Sequence, residues 1–599
     1  MAVRTNRYQS VTYPCHRYLI CCASLLDDAQ HRASALLPIQ SALKMTTIAS
    51  AVSWLLSGEI HAQALVWSLV AAEPTRIPAP ELPVGTRNFF DANVGDYGAG
   101  QFGFRVLGPE AANGYWVNRN GALVRITQLA TSGVFGPGRS GTEVAHQFDS
   151  VTSGASSIGP DGQRSFLARA GDPADAAGAT NGIWRWNGAQ NIEIARGGAS
   201  GQLGPGLSAD WRFINERSFV DEARMMQGGQ VLVHADVFSA AVTRSRLIAR
   251  HVPGIGNQPC MQTGVSGGAL APGLQAGDRW LGVTNSTGIG LSIDGRVYMR
   301  NIAVLSGPRN IAGIWELCNG APRALAVVRE SGARGPNIGV VGAQFEDLYP
   351  TVAFPPLPDR GNGVYFFSQY CKTVNPCDSP LGVPQVGLFH HQSGSNDGIA
   401  YNDASGFYGP NYLNSRWKFF NGPSLSVAGL YSSFISSIST TDTTDLTGLW
   451  RLRSGQRPEL AALIGSSVAA YAPEPGRTWK SFAGSAVFSN GDVVLAARTD
   501  PGDSYGIWLL PRGGAPRRVL EQDQILTLQT ANGPIQEKVG SIALEASGAG
   551  YASGIDDWVG ADGTLLLSVR MFNDIGYSFL ISTKLNVPNS LDIFADGFE

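Results

Sequence analysis

Few residues in this chain stand at spacings that could do chemistry. Gly264-Val265-Ser266-Gly267-Gly268 matches the G-x-S-x-G pattern of hydrolase nucleophiles. That pattern works when a strand feeds a sharp turn that opens a helix and exposes the serine. Pro259 to Thr263 before it and Ala269 to Pro272 after it supply neither, so the stretch reads as a loop. Beyond residue 64 the histidines are His146, His234, His251, His390 and His391. His234 and Asp236 sit two apart, which puts both on one face of a strand. No third ligand can be named, so they read as an outward-facing polar pair. His390 and His391 are adjacent and point to opposite faces. Acidic pairs occur at Asp172/Asp175, Asp442/Asp445, Asp500/Asp503 and Asp556/Asp557. Oxygen-rich loops can hold calcium, although none here follows the twelve-residue calcium loop. Asp556, Asp557 and Asp562 are the weak metal candidates, because they flank the start of one strand. Calcium is accordingly the sole cofactor considered, and no catalytic residue is assigned.

Cysteines point to the compartment. Cys15, Cys21 and Cys22 fall near the N-terminus, leaving Cys260, Cys318, Cys371 and Cys377. An even count suits disulfides in an oxidising environment. A local Cys371–Cys377 bridge across a turn-like stretch would leave Cys260 to pair with Cys318. The three connectivities stay open at this level.

The elements that would position these residues form a repeat. A glycine turn leads into an apolar strand, and a Gly-aromatic strand follows, as in Gly182-Ile183-Trp184, Gly313-Ile314-Trp315 and Gly506-Ile507-Trp508. The turn glycines Gly162, Gly229, Gly295, Gly363, Gly429, Gly491 and Gly563 recur at steps of 62 to 72 residues. An earlier partial unit carries Gly95 and Gly114-Tyr115-Trp116. Trp417 and Phe420 precede Gly429 by the distance at which Trp479 and Phe482 precede Gly491. Repeats of about 66 residues, each supplying a four-stranded sheet, predict an all-β fold, a β-propeller of seven or eight blades. Long blades imply long loops, where binding sites gather.

Composition agrees and excludes some functions. The chain has 599 residues, 74 of them Gly and 34 Pro, which suits many strands joined by turns. The net charge of −3, without a basic run, argues against a nucleic-acid partner. No apolar run reaches the roughly 18 to 20 residues that cross a bilayer. Two export signals compete in residues 1–64. One has Arg4, Arg7 and Arg17 ahead of the apolar run Tyr18 to Leu26. The preferred one starts near Met45, a candidate true start, and ends at Ala62-Gln63-Ala64, a small-x-small cleavage pattern. The expected organisation is a targeting segment 1–64, a linker 65–89, a propeller 90–585 and a tail 586–599.

The Gly turn followed by a Gly-Ile-Trp strand resembles exported bacterial tandem-repeat proteins with an N-x-x-G-x-x-A-F repeat. Here Gly159, Ser292, Phe488 and Gly560 replace the leading Asn, and Ser165-Phe166 or Val494-Leu495 the ending. The resemblance implies architecture and export, and carries no catalytic residues. The end, Asp592-Ile593-Phe594-Ala595-Asp596-Gly597-Phe598-Glu599, resembles a terminal motif of secreted proteins in some gammaproteobacteria, which implies sorting; a plain acidic end is the alternative. The expectation is a secreted, periplasmic or surface protein that binds a protein or glycan without catalysis. A propeller hydrolase or lyase acting on extracellular polysaccharide, with facing carboxylates from different blades, and a structural envelope protein are the alternatives.

Overall fold

The protein was analysed as a computed structural model that describes residues 65–72, 88–94 and most of 101–585. Outside the described residues fall 1–64, 586–599 and short internal stretches such as 283–287, 349–355, 373–384, 544–557 and 573–577. The two export signals and the tail motif therefore lie outside it.

The described residues form strands and short 3-10 turns, with no α-helix among them. Seven open, mainly antiparallel sheets follow one another along the chain, spanning 88–125, 147–196, 212–262, 279–327, 336–401, 416–463 and 478–521. They are blades 1 to 7. A further sheet closes on itself. It takes Ile525–Thr530, Gly533–Ala543, Thr564–Met571 and Ser578–Lys584 from the C-terminal side and Trp67–Ala72 from the N-terminal side. The fold is thus the expected β-propeller, with seven open blades and one closing sheet. The stretch 65–89, expected as a linker, contributes a strand because Trp67, Leu69, Val70, Ala71 and Ala72 are all apolar and all buried. The unit read as partial, around Gly114, is a complete four-stranded blade.

Why each unit folds alike can be read from its aromatics. In five blades the aromatic of the third strand, a tryptophan in four and Phe389 in the fifth, meets an aromatic from the start of the first strand edge-on. The ring pairs are Phe148–Trp184, Trp280–Trp315, Phe345–Phe389, Trp417–Trp450 and Trp479–Trp508, at 4.8 to 5.1 Å. Edge-to-face packing favours such pairs beyond the area they bury. Eight hydrophobic clusters lie between consecutive sheets. The last joins Val70 and Leu580 of the closing sheet to Phe102, Phe104 and Trp116 of blade 1, so the ring is shut.

Meandering strands put two kinds of connection at opposite ends of every blade. Turns between strands one and two, and three and four, share one face. Loops between strands two and three, and from each blade to the next, share the other, which is called the loop face below. A disulfide joins Cys260 in blade 3 to Cys318 in blade 4. Cys371 is also disulfide-bonded, and Cys377 lies outside the described residues.

Candidate functional site

The blade-to-blade connections carry a motif. Ser132-Gly-Val-Phe-Gly-Pro-Gly138, Ser200-Gly-Gln-Leu-Gly-Pro-Gly206, Ser331-Gly-Ala-Arg-Gly-Pro-Asn337 and Ser405-Gly-Phe-Tyr-Gly-Pro-Asn411 share S-G-x-x-G-P. Each folds its centre into one 3-10 turn: Gly133–Phe135, Gly201–Leu203, Gly332–Arg334 and Gly406–Tyr408. The second glycine is compulsory. A Cβ on Gly136 would come within 2.4 Å of the Thr131 carbonyl, and one on Gly335 within 2.5 Å of the Glu330 carbonyl.

Each loop is pinned to the blade it leads into. The Trp184 indole N–H donates to the Pro137 carbonyl at 3.0 Å and Trp450 to Pro410 at 3.1 Å, and Trp315 donates likewise to Pro272 at 3.0 Å in the blade 3–4 connection, which lacks the motif. An asparagine of the fourth strand tethers three of the motif loops. Asn191 Nδ2 donates to Ile126 and Gly136 carbonyls at 2.8 and 2.9 Å. Asn257 does the same to Ile194 and Gly204 at 3.0 and 2.8 Å, and Asn396 to Leu325 and Gly335 at 3.0 and 3.2 Å. What the frame displays is the variable pair: Val134 and Phe135 at one junction, Phe407 and Tyr408 at another, all four exposed. The pattern read from the sequence did not single out this motif. Four identical copies of S-G-x-x-G-P were the signal that could have found it.

Beside the first of these loops a cleft of about 220 Å³ opens on the loop face. Leu129, Gln147, Phe148, Asp149, Asp172 and Pro173 are among its lining residues. Its polar groups are mostly acceptors. Asp149 pairs with Arg169 at 2.8 Å, and Asp172 Oδ1 accepts the Ala174 N–H at 2.8 Å. Below the nearby rim, Arg139 and Glu193 form a buried pair at 2.7 Å, and Arg196 bridges Glu193 to Glu143.

Most residues weighed for chemistry in the sequence turn out to hold the blades together. Ser266 donates its hydroxyl to the Gly277 carbonyl at 3.0 Å in a loop, with no helix behind it. His234 and Asp236, expected to face outward, are both buried, because the strand that carries them is covered on both faces; burial, helped by the Arg224 charge, lowers the His234 pKa to about 4. Asp236 is ion-paired with Arg244 and Arg246; burial pushes it up against the pull of Arg244. The two neighbours on one strand thus serve different contacts. His390 and His391 point apart, as their adjacency requires. His390 Nε2 meets Asp359 Oδ2 at 2.7 Å and stacks on Tyr365 at 4.1 Å, while His391 meets Asn396 at 2.8 Å. The His390 and Asp359 side chains are each 7% exposed, so this imidazole–carboxylate pair is packed within its blade and away from solvent. Of the acidic pairs, Asp500 and Asp503 face Lys480, and Asp445 faces Lys418. Asp562 accepts the Thr564 N–H and pairs with Lys584, both at 3.1 Å. Asp556 and Asp557 lie outside the described residues. Among the described residues no helix is long and apolar enough to cross a membrane.

A family profile described as a family of unknown function, DUF7453, matches residues 90–557. Comparison with curated proteins gave no match. Among solved structures, the β-propeller domain of the trilobed protease from Pyrococcus furiosus is similar at 8% identity and a TM-score of 0.31, covering 71% of this chain and 97% of that one. The polysaccharide lyase Uly1 aligns at 8% identity and a TM-score of 0.32, covering 84% of this chain and 100% of that one. A lectin from Aleuria aurantia aligns at 10% identity and a TM-score of 0.21, covering 61% and 94%. A protease domain, a lyase and a lectin stand side by side here, and likeness this low carries nothing about function.

Proposed function

The chain belongs to this family of unknown function, so no activity is inherited, and we propose from its own surface that it is an exported, non-enzymatic binding module. The observation that carries this reading is the S-G-x-x-G-P frame, which holds two variable residues outward at equivalent corners of several blades. A constant, hydrogen-bonded frame with variable tips suits recognition, since binding residues concentrate on loops positioned by a rigid scaffold. The internal engagement of His234, His390, His391 and Asp236 supports it further. Groups held in structural contacts are poorly placed to exchange protons with a substrate.

Export is part of the proposal. A disulfide between blades suits an oxidising compartment. Cleavage after Ala64 would leave a chain that starts two residues before the closing strand at Trp67, and so would spare that strand. N-terminal sequencing of protein recovered from outside the cytoplasm should read Leu65-Val66-Trp67; a mature chain beginning beyond Trp67 would count against it.

The binding reading is tested by thermal-shift measurements with the purified protein against neutral and acidic polysaccharides, calcium and chelator, with new reducing ends assayed in the same wells. A raised melting temperature without product is expected, because a ligand that binds only the native state stabilises it. Release of reducing ends, lost on substitution of a cleft carboxylate, Asp149 or Asp172, would make the protein an enzyme and end this reading.

A further inference from the structure

Two loops on the loop face border blade 6, and each carries an uncharged aromatic stretch. The first runs Phe407-Tyr-Gly-Pro-Asn-Tyr-Leu-Asn414 into the blade's first strand. The second runs Ser466-Ser-Val-Ala-Ala-Tyr-Ala472 after its fourth. Their tyrosines meet: the Tyr412 and Tyr471 rings are 6.1 Å apart, edge to face. Within the first loop Phe407 contacts Tyr408 at 5.3 Å, and Tyr408 contacts Tyr401 at 5.6 Å. Tyr401, Tyr412 and Tyr471 all rest on one core cluster, so the rings form a platform with a fixed base.

The outer part of that platform is in solvent. Phe407 is 48% exposed, Tyr408 42%, Leu413 70% and Val468 54%. The backbone below is held rigidly. Indole N–H groups of Trp417, Trp450 and Trp479 donate to the carbonyls of Tyr408, Pro410 and Tyr471 at 2.7, 3.1 and 2.7 Å. Three non-glycine residues in four positions, Asn411, Leu413 and Asn414, adopt left-handed backbone with φ of 51°, 37° and 53°. Such conformations cost free energy and collect where a loop is shaped for a ligand. Here they keep Asn411, Leu413 and Asn414 at the surface beside the aromatic rings.

The chemistry of this surface is specific. Flat exposed rings suit the apolar C–H faces of pyranoses. Amides and hydroxyls of Asn411, Asn414, Ser466 and Ser467 suit sugar hydroxyls. Of the cations at the loop ends, Arg477 is paired with Glu474 and Glu521 and Lys418 with Asp445, so an anionic polysaccharide finds little counter-charge beyond Arg416. We propose that the platform over blade 6 binds a neutral polysaccharide chain, with Phe407 and Tyr408 stacking on its sugar rings. This rests on the binding-module reading and gives it a ligand class and a place.

The test is isothermal calorimetry on the purified full chain with cellohexaose, xylohexaose and mannohexaose as neutral probes and polygalacturonate as the anionic one. At least one neutral probe should bind. Phe407→Ala and Tyr408→Ala should each weaken it by about tenfold or more, the loss expected of an aromatic anchor. Tyr408→Phe keeps the ring and should stay within about threefold of the parent, a difference well under 1.4 kcal/mol. Ile255→Ala, exposed in the turn between the third and fourth strands of blade 3 on the opposite face, should leave binding unchanged. Melting temperatures of all variants should match the parent, since these side chains are exposed. Neutral binding that survives both alanine substitutions overturns the platform while leaving the module reading intact. Binding of polygalacturonate alone overturns the ligand class. Binding of none of the four probes overturns the proposal, and the module reading then stands or falls on its own thermal-shift test, a protein partner included.

Discussion

At the scale of single residues, the histidines give the sharpest expectation. His234 is buried beside Arg224, and His251 is buried against Asn257 with the Arg185 charge nearby; burial is the main cause that brings each down to about 4. Both are neutral in the native protein at pH 7. In the unfolded chain they take up protons near the ordinary value of about 6.5. The unfolded state therefore binds more protons between pH 6.5 and 4, and stability falls as pH falls through that window. For His234, fully buried, the loss is on the order of 3 kcal/mol at the acid end. Urea unfolding at pH 7.0 and pH 4.5 checks this. The parent should lose more stability than His234→Gln over the same interval, and equal losses would refute the assignment. The sequence showed which histidines exist and that His390 and His391 must diverge. It could not show burial, because Arg224 lies on the strand paired with that of His234 and Asp359 stands 31 residues from His390.

At the scale of strands and loops, much was legible. Period and aromatic spacing placed the turn glycines and third strands because they recur and because tryptophan has one large pocket to fill per unit. The edge-on ring pairs confirm that role for Trp417 and Trp479. The tethers between blades were not legible, since an asparagine donating to a carbonyl leaves no mark on its partner. Asn257 reaches carbonyls 63 and 53 residues away. Removing it leaves the Ile194 and Gly204 carbonyls without that donor in a buried place. Asn257→Ala should therefore cost about 1–3 kcal/mol per the usual penalty for stranded polar groups. The urea midpoint should drop with an unchanged slope. A loss below about 0.5 kcal/mol, the range of ordinary surface changes, would show that the tether is dispensable.

At the scale of the whole molecule, one junction is cross-linked and another closes the ring. Blades 3 and 4, consecutive in the chain, are joined covalently through Cys260 and Cys318. Between the chain's two ends the closure is made by strand pairing alone. Ser68, Leu69, Ala71 and Ala72 lie opposite Ser582, Ile581, Leu580 and Phe579. The strand packs on both sides. Trp67, Leu69 and Ala72 join the cluster shared with blade 7, whereas Val70 and Ala71 join the one shared with blade 1. A segment that a linear reading assigns to a linker thus couples the two ends of the repeat array. Its loss would expose a strand edge at Ser578–Lys584 as well as two apolar faces. Truncating Leu69 and Val70 together to alanine should act on both junctions at once. Each truncation of a buried aliphatic side chain costs a few kcal/mol, about 1 to 5, against a total stability typically of about 5–15 kcal/mol. Calorimetry should show a melting temperature well below the parent's and, if the closure is what makes eight sheets unfold together, a split or broadened transition. A peptide covering residues 65–73, added to a chain that begins at residue 74, should restore the single transition. A truncated chain that already melts in one step at the parent's temperature would mean that the ring is held by its blade junctions without the strand from its other end.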